Sequence, residues 1–588
     1  MSKQRDNNNG KTNTTQNKKT YSNNGKSSRS KRSSYGNKSH EAIREASENG
    51  TGTKFGGVND VSWYAANPQL LSDAASLPFS HAIGTRIEPT FTNVKNSGIP
   101  SIPGVCSIYL TPCPGKSGSN YSTINIAARN LYSFVRHANS GHANYDSPDL
   151  MLYVLAMDSI YYMLSHAIRV YGIARTYSQV NRYYPEALLE AMLMDPKDVI
   201  TNLAELRYNI NTLIVKVGSL CVPASFKYLT RHFWLFSSVY ADTNDPKCQS
   251  YVFVPHGYYQ FDPVAYTTGG ALHYQQFDEK LHTVSDLIKI INNMVSAVIT
   301  DEDMNIMSGD ILKAFGSDGV FKISGIPEEY SVVPEYNPEV LMQINNTVCV
   351  GRSIATTFAS GITPEEGYHA PDIWQNTDGA IMYKPEIMVQ APAGHQEHLL
   401  NMPMLNPTPA DVMVATRLTA IATGYDGHAY DESDGEGLDV RFYHVFEAIG
   451  SEFAQYMKIF YFGWTWDKNS ETNVWSLKTL TVHNGHTDFQ TDRLETYMSC
   501  DADARGFENL KEWCVAASAI SKFHNHPQIH MCVKKGTDPD DLVDYEDMGF
   551  IGDVNTYTQL DYNTLYKMHQ TALLSMFEVP QMGTVSRR

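Results

Sequence analysis

His524, His526, His530 and Cys532 fall within nine residues, HNHPQIHMC, and all four are side chains that ligate zinc. In an extended segment His524 and His526 would share a face, but Pro527 interrupts it and nothing fixes the other pair relative to them. Ordinary hydrogen bonding in a loop after a helix is the favoured reading of these imidazoles. HQEH at 395–398 matches neither HExxH nor HxxEH, in which one helical turn aims both imidazoles at one metal. PGKSG at 114–118 resembles the end of a phosphate-binding loop, but that motif needs glycine at 110, where the chain has Leu110. DEDMNIMSGDIL puts Asp301, Asp303 and Asn305 at the first three ligand positions of a calcium loop. Ile306 and Leu312 then stand where the turn glycine and the bidentate glutamate are required, so an acidic turn ending the preceding helix is expected. The acidic stretches 426–439 and 537–547 read as solvated loops. No GxSxG elbow occurs, and no catalytic residue, metal site or cofactor is predicted: the expectation is a protein that is not an enzyme.

The remaining chemistry is cationic. Lys3, Arg5, Lys11, Lys18, Lys19, Lys26, Arg29, Lys31, Arg32 and Lys38 crowd into the first 40 residues with one anion, Asp6, giving this arm +9. The other 548 residues hold 36 cations and 62 anions, net −26, so the whole chain carries −17. The arm has no Ala, Val, Ile, Leu, Phe, Trp or Cys. It cannot bury enough apolar surface to offset the entropy of ordering its backbone, and disorder is expected. Flexible cations attract phosphate without reading bases, because each one that displaces a condensed counterion gains the entropy of ion release. These ten residues are the candidate nucleic-acid-binding set; a solubilising tail, or one directed to anionic membrane, is the competing explanation. An acidic body would repel the phosphates its own arm attracts. The charges make sense when arm and body face different places, as in a closed shell with arms inside against a genome and the acidic bulk outside.

Elements that must carry this chemistry follow from periodicity. Ile124, Ala127, Ala128, Leu131, Phe134 and Val135 recur at helical spacing after Ser122 or Thr123 as cap. A second helix starts at Ser147 and Pro148 and is expected to run to about Tyr177 with a break near Gly172. Its apolar run LMLYVLAM is followed by Asp158, His166 and Arg169, too soon for a bilayer span, and reads as a buried helix. Further helices are predicted at 185–194, 196–217, 223–240, 279–300, 502–523 and 562–578. IPSIPGV and TPCPGKSG exclude regular helix before residue 118. KIFYFGWTW and NVWSLKTLTVHN around DKNSET predict a hairpin at 458–483. The 36 tyrosines, paired at 161/162, 183/184 and 258/259, fit a chain that buries surface against copies of itself; lining its own core is the alternative. Eight scattered cysteines without a CxxC pair predict free thiols, and the lack of an apolar leader predicts a cytosol-like compartment.

The segment AARNLYSFVRHANSGHANYDSPDLMLYVLAMDSIYYM, residues 127–163, resembles a block of picobirnavirus capsid proteins, and SGDILKAFG, residues 308–316, resembles another. Together they span under a tenth of the chain, and the polar basic arm and general layout are also similar. The resemblance implies the coat protein of a small double-stranded RNA virus, located in the virion and assembled in the host cytoplasm. It implies symmetric dimers, on the order of sixty per particle, closing an icosahedral shell around genome segments. It implies no cofactor and no membrane, with the viral polymerase as a separate chain packaged inside. The fold expected is α+β: a predominantly α-helical shell domain with a β-containing projecting domain and a disordered basic N-terminal arm. The corresponding division is arm and linker 1–55, helical shell region 56–320, β-richer projecting region 321–500, and a helical region 501–588 returning to the shell. Members of the family share a basic arm rather than an order of cations, so the ten arm residues rest on charge. Two other readings stay open: a non-viral cytosolic RNA-binding protein with the same tail, and a metal-dependent enzyme using the 524–532 histidines.

Overall fold

The run Val105–Leu110, flanked by Pro103 and Pro112, forms strand β1 (Ile102–Pro112) at the centre of a five-stranded sheet. The computed structural model describes residues 102–139, 141, 144–176, 184–244, 248–266, 269–350, 371–390, 399–431, 438–467, 472–482, 520–527, 529–535, 544–551 and 556–578, with Asn67 and Gln69. Save for those last two, where Asn67 Oδ1 accepts from Gln69 N at 2.9 Å, all belong to one compact unit, Pro78–Arg588. The ten arm cations and HQEH lie outside the described residues.

Helix α1 (Thr123–Ala138) follows β1, with Ser122 as its N-cap residue and Ile124, Ala127, Ala128 and Val135 buried as the periodicity requires. Helix α2 (Ser147–Ala174) starts one residue after its cap, Asp146, whose N–H donates to Asp149 Oδ2 at 2.9 Å. Every residue of α2 from Leu150 to Ile173 is buried. It is long and apolar enough to cross a membrane, yet it is wrapped by protein on all sides, which is what a helix apolar all round requires in water. The expected break at Gly172 does not occur. Glycine stands there because the segment Tyr330–Val332 crosses the helix so closely that a Cβ would lie 2.5 Å from Val332 Cγ2 and 3.1 Å from Val332 N.

Around α2 lie α3 (Tyr184–Ala191), α4 (Pro196–Thr201), α5 (Leu203–Val217), α6 (Lys227–Ser237), α7 (Val284–Ile299) and α8 (Glu302–Phe315). The single helix predicted for 196–217 is two, because Asn202 leaves helical geometry and bonds Asp198 Oδ1 at 2.8 Å through its amide. DEDMN does more than end a helix: Asp301 accepts from Met304 N at 2.9 Å and caps α8. Shorter helices α9 (Pro338–Asn345) and α10 (Pro409–Ala415) precede the long α11 (Tyr562–Met576). Of the helix predicted at 502–523, residues 502–519 lie outside the described residues.

The first half holds more strand than its composition suggests: β2 (Tyr240–Ala241), β3 (Ser250–Pro255), β4 (Gly257–Tyr266) and β5 (Gly269–Gln276). All six residues of β3 are buried, so the apolar/polar alternation that announces a strand is missing. Short strands β6 (Trp374–Gln375) and β7 (Ile381–Met382) pair with each other, and β8 (Glu386–Gln390) and β9 (Leu399–Asn401) follow. The acidic stretch 426–439, expected as a loop, is mostly the hairpin of β10 (Ala422–Asp431) and β11 (Leu438–Glu447), with β8 on the outer side of β11. Leu438, Val440, Phe442 and Phe446 supply the alternation that its carboxylates obscure.

The predicted hairpin is present as β12 (Glu452–Asp467) and β13 (Thr472–Val482), paired from Met457↔Val482 to Asp467↔Thr472. β12 also runs antiparallel to β1 from Pro112↔Glu452 to Ile102↔Phe462, and β1 runs parallel to β3. Segments from 56–320 and from 321–500 thus hydrogen-bond within one sheet, and the hairpin grows out of that sheet. Strands β14 (Ile529–Lys535) and β15 (Asp544–Ile551) form a second hairpin, and β16 (Thr556–Gln559) pairs β9. The molecule is α+β, with its main core around α2 and a smaller one joining Met342, Leu400, Ile421 and Leu565.

Candidate functional site

Many of the described tyrosines line the core, the alternative to surfaces between copies, while Tyr121, Tyr208 and Tyr557 are exposed. Tyr161, Tyr162 and Tyr259 are buried, and hydroxyls reach inward to backbone: Tyr153 to Cys221 O and Tyr162 to Gly257 O, each at 2.9 Å, and Tyr171 to Glu328 O at 2.8 Å. A tyrosine spends its apolar ring on the core while its hydroxyl satisfies a loop carbonyl, so one residue type stitches loops to helices. Tyr183 lies outside the described residues.

The segments that resembled ligand-binding loops are held by the protein's own groups. In PGKSG, Ser117 N donates to Tyr383 O at 2.7 Å, Gly118 N and Ser119 N both donate to Ser122 Oγ, and Lys116 pairs with Glu447. The N–H groups of Ser117, Gly118 and Ser119 are therefore not free to bind a phosphate. HNH is fastened to Asp242, whose carboxylate accepts from His524 N at 2.7 Å and Asn525 N at 3.1 Å and from the Tyr251 hydroxyl at 3.0 Å. His526 is buried and its Nδ1 donates to Pro527 O, while His530 and Cys532 sit on β14. Among the described residues no three His, Cys, Asp or Glu side chains gather as a metal site. Cys106, Cys113, Cys221 and Cys248 are free thiols.

What composition did not foretell is a buried ionic network tying four elements together. His232 of α6 bonds Asp158 of α2 through Nδ1 at 2.9 Å, and its Nε2 stands 3.3 Å from Glu452 of β12. Arg231 grips the same Glu452 with Nε and Nη2 and reaches Gln343 of α9 at 3.1 Å. Burial alone would push His232 down, but Asp158 and then Glu452 overrule it and hold the imidazolium up at about 9. Glu452, opposed by burial, is nonetheless held well below the usual carboxylate range by Arg231 and His232. Burial pushes Asp158 up against the pull of His232, so the pair titrates as a unit. Farther along α2, Arg169 donates to Ser238 O at 3.0 Å and Phe253 O at 2.6 Å, with His166 Nδ1 3.0 Å away. Burial lowers this guanidinium to about 9, and burial with Arg169 keeps His166 neutral. The polar residues that follow LMLYVLAM were the available signal: charge inside an otherwise apolar helix implies a buried partner.

The two segments carrying the sequence resemblance meet at Asp310 and Phe315. Asp310 of α8 accepts from the Tyr145 hydroxyl at 2.7 Å, its carbonyl accepts from Asn139 Nδ2 at 3.0 Å, and Arg136 of α1 lies 3.5 Å from its carboxylate. Phe134 and Phe315 pack beside it with ring centroids 4.8 Å apart.

A fully wrapped helix, a sheet extended by a hairpin and a buried ionic network form the frame of the molecule, and the fold is that of a viral coat protein. It matches the X-ray crystallographic structure of the picobirnavirus capsid with a TM-score of 0.67 and 21% identity, covering 90% of this chain and 100% of that one. The sequence model of the family described as Picobirnavirus, Capsid protein matches residues 63–537. A capsid protein precursor from Human picobirnavirus is 31% identical over 573 residues, 93% of this chain and 96% of the relative. The chain belongs to the picobirnavirus capsid protein family, whose members are structural components of the virion.

Proposed function

We propose that this capsid protein assembles as dimers into an icosahedral shell that encloses double-stranded RNA, with the arm cations Lys3 to Lys38 contacting RNA irrespective of sequence. The observation that carries this reading is the segregation of charge, +9 on 40 residues against −26 on the rest, in a member of a capsid family. One sign faces phosphate and the other faces solvent only when the two are on opposite sides of a wall. A shell of roughly a hundred chains with ten cations each supplies about a thousand charges, several-fold fewer than the phosphates of a duplex of a few thousand base pairs. The arms recruit and organise RNA, and mobile cations complete its neutralisation. The division into arm 1–55, shell 56–320, projection 321–500 and returning helices 501–588 belongs to the same proposal, as do a polymerase held inside and assembly in host cytoplasm.

The test is a chain lacking residues 1–40, assembled beside the full-length protein over a salt series. The expected result is closed particles with much less RNA and a flattened dependence of RNA content on salt. Equal RNA mass per particle at equal salt would show the arm reading wrong, and failure of both proteins to form closed particles would overturn the shell reading.

A further inference from the structure

Helix α11 is docked through one buried imidazole in an unusual setting. His569 lies in the face that also buries Leu565, Ala572 and Leu573. Its Nε2 donates to Thr419 O at 3.4 Å, which leaves Nδ1 as the bare acceptor; among the described residues Nδ1 has no hydrogen-bond partner, and Gly450 backs directly onto it. Among the described residues, the charged groups facing it are Arg417 after α10, Arg231 of α6 and Glu452 of β12. Glu452 is already engaged by Arg231 and His232, and Arg417, whose Nε donates to Met413 O at 2.7 Å, has one amino group without a partner. The cations of α1, Arg129 and Arg136, are occupied by Asn120 and by Asp310 with Gly141. Among the described residues, a proton on Nδ1 would therefore add an N–H with no acceptor and a positive charge to a pocket where the carboxylate that acts on it, Glu452, is already paired.

We propose that α11 is an acid-released latch: a neutral His569 seats it at neutral pH, and protonation of that imidazole frees it from the body. Beyond α11, Phe577 stacks on Phe226 with centroids 5.5 Å apart and meets Tyr228 at 5.1 Å, so release uncovers an apolar bed at the start of α6. The sign follows from linkage. Burial and then Arg417 depress the docked His569 to about 3, while the released side chain returns to 6.5. The docked state is therefore fully favoured above 6.5 and loses ground as pH falls from 6.5 toward 3. Between pH 7 and pH 5 the released fraction rises roughly 25-fold for one such proton. His166 is held neutral too, but it sits inside α2 and is exposed only when the whole core opens.

Hydrogen exchange of the full-length protein at pH 7 and pH 5, corrected for intrinsic rates, tests the latch. Amides of Tyr562–Met576 should lose roughly 25-fold in protection at pH 5, while those of Tyr153–Leu164 in α2 keep theirs. Unchanged protection in α11, or equal loss in α2, overturns the proposal. In His569→Gln the amide still donates to Thr419 O and cannot titrate, so protection of α11 should be the same at both pH values; an acid response surviving there overturns the proposal as well. Should that variant not fold, the wild-type comparison of the two helices decides by itself.

Discussion

Glu452 is the residue on which the buried charges depend, because it is the counter-ion shared by Arg231 and His232. Glu452→Gln keeps its shape but leaves Arg231 without a carboxylate and His232 with Asp158 alone, and a loss of about 3–5 kcal/mol in unfolding free energy is expected. Denaturant titration of the dissociated protein at neutral pH measures it, and a loss under about 1 kcal/mol would mean that the cations find other partners. His232 gives the matching pH dependence. Its folded value is raised from 6.5 to about 9, so its contribution is complete below 6.5 and disappears as pH rises through 9. The shift corresponds to about 3 kcal/mol. Wild type should lose that much relative to His232→Gln between pH 6 and pH 10, read as the difference between their unfolding curves. Asp310 is a milder case: it and Arg136 are partly exposed, and Asp310→Ala should cost about 1–2 kcal/mol, seen as a lower Tm.

Elements in this protein are placed by close approach as much as by propensity. Gly172 would make α2 more helical as alanine by about 1 kcal/mol, yet Val332 leaves no room for the added methyl and donates its N–H to Gly172 O at 3.1 Å. Gly172→Ala should therefore destabilise by about 1–3 kcal/mol, and its Tm beside that of wild type decides the sign. The helices α1 and α2 were legible in the sequence because one-sided and all-round apolar periodicity both survive in a string of letters. The hairpin of β12 and β13 was legible because aromatic and β-branched runs flank a polar turn. β1 and β3 were not, since central strands buried on both faces carry no period of two, and prolines at their ends looked like loop. β10 was hidden for a different reason, its carboxylates and glycines reading as loop.

For the whole molecule, charge separates two effects of salt that have opposite signs. Copies of a body with net charge −26 repel each other, and raising ionic strength screens that repulsion. The +9 arm binds phosphate by counterion release, which the same salt weakens. Rising salt should thus favour assembly of the chain lacking residues 1–40 while lowering the RNA content of full-length particles. Light scattering and RNA absorbance across one salt series read both, and slopes of the same sign would contradict this separation of roles.

By itself the amino-acid sequence determined the local and the additive: amphipathic helices, an aromatic hairpin, the segregation of charge between arm and body, and two segments similar to picobirnavirus capsid proteins. Each depends on neighbours within a few turns of chain, or on sums indifferent to order. Tertiary structure decided where distant residues meet. It brought Asp158, His232 and Glu452 together from separate stretches of the chain, joined the two similar segments at Asp310, turned Tyr153, Tyr162 and Tyr171 inward, and left His569 neutral among cations. Such pairings are set by sheet register and helix packing, which residue type and spacing along one chain do not encode one position at a time.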